Sequence, residues 1–184
     1  MPLNHTSKYA ELTDNQFLLI GKLTVEFSNI EFLLSEMLGR LLITPSFLSR
    51  TYTERMNVVA LIEKIRNAID IHERRYNNFF VSKELSNSIS NILSEIEKIR
   101  LIRNKFAHYC WSRQTDSKIF GTNFLGKVPK DSRPNEGVSE ITNIEIESMY
   151  KNSYQIVESL SKIIDDIPEL LEDRELKSKL RYKR

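Results

Sequence analysis

One cysteine, five glycines, five prolines and almost no net charge are what this 184-residue chain has little of, and each shortage excludes something. A lone Cys110 closes no intramolecular disulfide and seeds no cysteine metal cluster, which rules out a disulfide-stapled scaffold and points to a reducing compartment. So little Gly and Pro is wrong for a disordered chain or a sheet sandwich. The 27 basic and 25 acidic side chains leave a formal charge of +2, too small a total to mark a nucleic-acid binder, so distribution has to decide. No apolar run approaches the roughly 18 residues of a spanning helix, and residues 1–10 lack the apolar core of a signal peptide. The expectation is a cytoplasmic protein that makes no membrane contact and needs no cofactor or metal.

What is present is helical periodicity. Thr13 and Gln16 have capping-box spacing and open a first helix to about Leu42, striped by Ile20, Leu23, Phe27, Ile30, Leu34, Met37 or Leu38, and Leu41. Thr44-Pro45 reads as a cap with proline at the first helical position of a short turn through Leu48. Thr51 and Glu54 suggest a second capping box, before a helix striped by Met56, Val59, Ile62, Ile65 and Ile69 that frays near His72, Arg74 and Arg75. Ser82 caps a third, striped by Leu85, Ile89, Ile92, Ile96 and Ile99. Thr142 and Glu145 open a fourth, through Ile146, Met149, Ser153, Ile156 or Val157, Leu160 and Ile164, which Pro168 ends. Between them, Gly121, Gly126, Pro129, Pro134 and Gly137 mark a long loop, with a short hairpin or strand near Lys118 to Phe124. The expected fold is all-α, an antiparallel four-helix bundle with a long loop between helices three and four. Its expected parts are a flexible arm at 1–11, the bundle at 12–168 with the loop insertion 110–140, and a basic tail at 169–184.

The third helix changes character at its end, in Arg103-Asn104-Lys105-Phe106-Ala107-His108. Arg103 and Phe106 continue the stripe of Ile96 and Ile99, so Arg103 either snorkels from the core edge or meets a partner. His108 lies five residues on, about 140° round an ideal helix, whereas Asn104 and His108 share a side. Arg103 and His108 therefore converge only if the helix distorts or a second copy supplies the other half across a symmetric interface. Imidazole, with a reference pKa of about 6.5, suits proton transfer from a 2'-hydroxyl or to a leaving 5'-oxygen. Arginine offers a planar donor fork to the phosphate, and Asn104 can hold the imidazole tautomer or an adjacent phosphate. The 2'-hydroxyl as nucleophile requires no metal and makes RNA the substrate.

The string Leu101-Ile102-Arg103-Asn104-Lys105-Phe106-Ala107-His108, followed by Tyr109, Cys110 and Trp111, resembles the motif of the HEPN superfamily, the higher eukaryotes and prokaryotes nucleotide-binding domains. Arg103 matches the family's arginine, Asn104 its polar neighbour and His108 its histidine. The resemblance implies a homodimer or an intramolecular pair with a composite, metal-independent endoribonuclease site at Arg103, Asn104 and His108. It also implies a setting in toxin–antitoxin or antiviral systems, with an antitoxin or a nucleotidyltransferase-like partner. The tyrosine that one branch carries two places after the histidine is absent, since Tyr109 is immediate and position 110 is Cys.

Arg100, Lys105 and Tyr109 are the expected substrate contacts. Trp111 is expected to plug the bundle end rather than stack on a base. Arg66-Asn67 before His72 repeats the motif loosely, and His5 lies in the arm. Glu31 and Glu36 could orient a histidine but more often wet an outer face. Lys127, Lys130 and Arg133 with the tail could steer RNA electrostatically. The alternative function is a non-catalytic helical RNA- or protein-binding regulatory module.

Overall fold

The computed structural model describes residues 10–123 and 138–170. The first nine residues with His5, the loop cations Lys127, Lys130 and Arg133, and the tail from Leu171 lie outside the described residues.

Five helices and a three-stranded antiparallel sheet make up the described chain: α1 (Asp14–Leu41), α2 (Ser46–Thr53), α3 (Val58–Tyr76), α4 (Lys83–His108), β1 (Cys110–Thr115), β2 (Lys118–Thr122), β3 (Val138–Thr142) and α5 (Asn143–Asp166). The fold is mixed α and β, which corrects the all-α four-helix expectation. The correction comes from the segment read as a loop. Trp111, Ile119, Gly121, Ser139 and Ile141 are buried at alternating strand positions, the period-2 signature of a half-covered sheet. The sheet order is β1-β2-β3, with Trp111 opposite Gly121 and Ile119 opposite Ile141. The connection from β2 to β3 passes through residues outside the described set.

The chain divides into two compact units, Met1–Phe27 with Glu97–Tyr154, and Ser28–Ile96 with Gln155–Arg184. In the first, the sheet is tied to two helix starts. Thr13 N–H donates to Gln16 Oε1 (2.9 Å) and Gln16 N–H to Thr13 Oγ1 (3.2 Å), completing the capping box. The buried Gln16 amide also donates to Thr115 O at 3.0 Å. Asn143 N–H donates to Ser117 O (2.9 Å) and its side chain to Asp116 O (3.0 Å). The β1–β2 turn is therefore held by groups at the N-termini of α1 and α5. At α5 the Thr142 N–H and hydroxyl both donate to Glu145 Oε2, at 2.7 and 2.8 Å. These bonds, the backbone one first, hold the Glu145 carboxyl below its usual value.

In the second unit, Ile30, Leu34, Met37, Leu38, Ile65, Ile89, Leu93 and Ile96 are buried, the stripes expected of an amphipathic packing. Two starts differ from expectation. Pro45 is the N-cap of α2 rather than its first helical residue. α3 begins at Val58, because Asn57 is the cap whose side chain accepts from Ala60 N–H at 3.0 Å. Thr51 and Glu54 do not open that helix: Thr51 lies inside α2. Val59, placed in the stripe by spacing, is exposed, and Val58 and Leu61 are buried in its stead. Ser82 caps α4 as expected, accepting from Leu85 N–H at 3.2 Å.

Candidate functional site

α4 stays helical for 26 residues to His108, so the distortion that would bring Arg103 and His108 together on one copy does not occur. Along a continuous helix, their separation of five positions keeps them about 140° apart and roughly 7.5 Å along the axis. Arg103 follows the line of the buried Ile96 and Ile99 and is half-buried where that core ends. Leu101, Asn104 and His108 share the opposite side. His108 is exposed, Asn104 is half-buried, and Leu101, two turns before His108, is 61% exposed.

The expected substrate contacts separate. Lys105 donates from Nζ to Ser139 Oγ of β3 at 3.3 Å and is half-buried, so part of its donor capacity is spent on the sheet. Arg100 is half-buried, with Nε buried and without a hydrogen-bond partner among the described residues. Tyr109 N–H donates to Lys105 O at 2.9 Å, and its ring lies 5.8 Å from Trp111 at 24°. Phe106 stacks on Trp111 from 4.9 Å at 22°. Trp111 is buried against Gly121, where a β-carbon would come within 2.7 Å of the indole. The tryptophan thus plugs its unit, and Tyr109 stays half-buried.

The two competing histidine arrangements part clearly. His72 is buried, and its Nε2 lies 2.7 Å from Leu41 O. A carbonyl only accepts, so that nitrogen carries the proton and closes an orphan carbonyl at the end of α1. Rings of Tyr76 and Phe80 flank it at 5.6 and 6.3 Å. His72 is a structural histidine, whereas His108 is exposed to solvent. Glu36 is paired with Arg50 at 3.3 Å. Cys110 is exposed and free, and among the described residues no three His, Cys, Asp or Glu gather as a metal-binding group. No described helix is long and apolar enough to cross a membrane.

A family model described as the SipA vinculin binding site matches residues 77–97. Searches of curated proteins and of solved structures gave no match. The family finding overturns the HEPN assignment: the matched family is a different one, and its match ends before Arg103. A string of about ten residues, from Leu101 to Trp111, carried that resemblance, and so short a string can arise by local chance. The expected antitoxin or nucleotidyltransferase-like partner, which rested on the resemblance alone, loses its support. The vinculin-binding-site match covers too little of the chain to assign a family.

Proposed function

We propose that this protein is a metal-independent endoribonuclease that cleaves RNA by 2'-hydroxyl attack, acting as a homodimer in which Arg103 of one copy meets His108 of the other. The observation that carries the reading is the exposed imidazole of His108 at the last turn of α4, with Asn104 one turn earlier on its side. The exposed Leu101, two turns earlier on the same side of α4, supplies apolar surface for a second copy. His108 exchanges the proton with the 2'-hydroxyl or the leaving 5'-oxygen, Arg103 stabilises the charge growing on the phosphate, and Asn104 orients the ring. Tyr109 offers a face for an unpaired base, and Arg100 and Lys105 supply positive charge.

The test is cleavage of single-stranded RNA by the purified chain in EDTA. R103A and H108A are each expected to lose about a hundredfold or more in rate, with circular dichroism unchanged. Wild-type protein that binds varied RNAs and cleaves none would refute the reading.

The match of residues 77–97 favours a second reading, a helical protein-binding module. Ile89, Ile92, Leu93 and Ile96 of that segment are buried in the chain's own core. Exposing those four side chains to a partner would cost roughly 6–12 kcal/mol at about 1.5–3 each. Calorimetric titration with purified vinculin decides this reading: binding by the intact folded chain would support it, and no binding would remove it.

A further inference from the structure

A cavity of about 460 Å³ opens among the α3–α4 turn, the first turns of α4 and the end of α5, with Asn78, Phe79, Phe80, Ser82, Glu84 and Asp166 in its lining. Its volume falls in the range of small-molecule sites. We infer that it binds an organic cation, an alkylammonium or guanidinium group whose stem lies on Phe79 and Phe80 and whose charge faces Glu84 and Asp166.

The chemistry of the lining selects that class. It holds two carboxylates and no Lys or Arg. Neither carboxylate forms an ion pair among the described residues, although Lys83 adjoins Glu84 in sequence. Glu84 is kept ionised by its own backbone N–H first and then by the Ser82 hydroxyl, which lower its pKa. Three donors near the start of α4 are already spent. Leu85 N–H goes to Ser82 Oγ (3.2 Å), Ser86 N–H to Ser82 O (2.9 Å) and the Ser88 hydroxyl to Glu84 O (3.0 Å). The Asn78 amide is the neutral donor side chain left in the lining.

Asp166 has an independent oddity. It ends α5, whose last turn carries Asp165 and Asp166 and no basic residue, against the preference of a helix C-terminus for cations. Arg40 takes the Ile164 and Ile167 carbonyls, at 2.8 and 3.4 Å, but does not line the cavity. The Phe79 ring is 83% exposed and stands at 90° to Phe80, with centroids 5.0 Å apart. An apolar ring left open beside carboxylates that form no ion pair among the described residues is the arrangement that holds a cation by its face and its charge together.

Calorimetric titration of the full chain at low salt tests this, with spermidine as the free-amine probe and Nα-acetyl-lysine amide as the peptide-borne one. Expected is saturable binding of at least one probe, weakened at least about fivefold by E84Q and by D166N and about threefold by F79A. The charge control E63Q, on the exposed face of α3, should leave affinity unchanged. The tighter probe names the source of the cation. All four substituted positions are surface ones, and circular dichroism verifies folding. Absence of binding by both probes, or equal affinity in wild type, E84Q, D166N and F79A, would overturn the inference.

Discussion

Ile43 adopts φ 51°, a left-handed conformation that a β-branched side chain enters at a cost of about 1–2 kcal/mol. It does so to end α1: Thr44 N–H reaches Gly39 O at 3.1 Å and Ile43 N–H reaches Arg40 O at 3.0 Å, the paired bonds of a Schellman close in which glycine is the usual residue. Because Ile43 is 43% exposed, little packing is lost on its removal. Ile43→Gly is expected to raise stability by about 1 kcal/mol, net of the packing it gives up, read as a higher urea midpoint with an unchanged slope. At the same scale, the sequence could not separate His72 from His108. Both follow an Arg-Asn pair, and what distinguishes them is the Leu41 carbonyl, 31 positions away from His72, a long-range bond that spacing does not carry.

Helix starts with reciprocal side-chain caps were legible, as at Thr13 with Gln16 and Thr142 with Glu145, because the signal is complete within four residues. The sheet was largely illegible. β3 pairs with β2 from across the 124–137 segment, and the β1–β2 turn is fixed by Gln16 and Asn143 from other elements rather than by a turn glycine. Gly121 was read as a loop breaker, and its role is to lie under Trp111. Gly121→Ala should cost about 1–3 kcal/mol by driving a β-carbon into the indole, measured by urea unfolding, and Trp111→Leu in the same chain should recover part of that loss.

The α5 cap adds a pH dependence. With the Glu145 pKa lowered in the fold by the Thr142 N–H and hydroxyl, its stabilisation is full above the ordinary carboxyl value of 4.5 and is lost as pH falls through the lowered one. Thermal unfolding of wild type and Glu145→Gln should therefore differ most near neutral pH and converge as the pH falls below the ordinary carboxyl value.

For the whole molecule, residues 103–108 were legible as chemistry but not as geometry. The sequence names an arginine, an amide and an imidazole. Only an uninterrupted α4 shows that one copy keeps Arg103 and His108 on different sides of a helix. A second copy is then what the proposed ribonuclease requires, with the exposed Leu101 on the His108 side of α4 as surface for it. The most direct measurement mixes R103A with H108A, each inactive alone, under conditions in which subunits exchange, and follows cleavage of single-stranded RNA in EDTA. Pairing between copies predicts that the mixture regains cleavage, because a mixed dimer holds one intact Arg103 facing one intact His108. Mixed dimers that form and stay as inactive as either variant would contradict it.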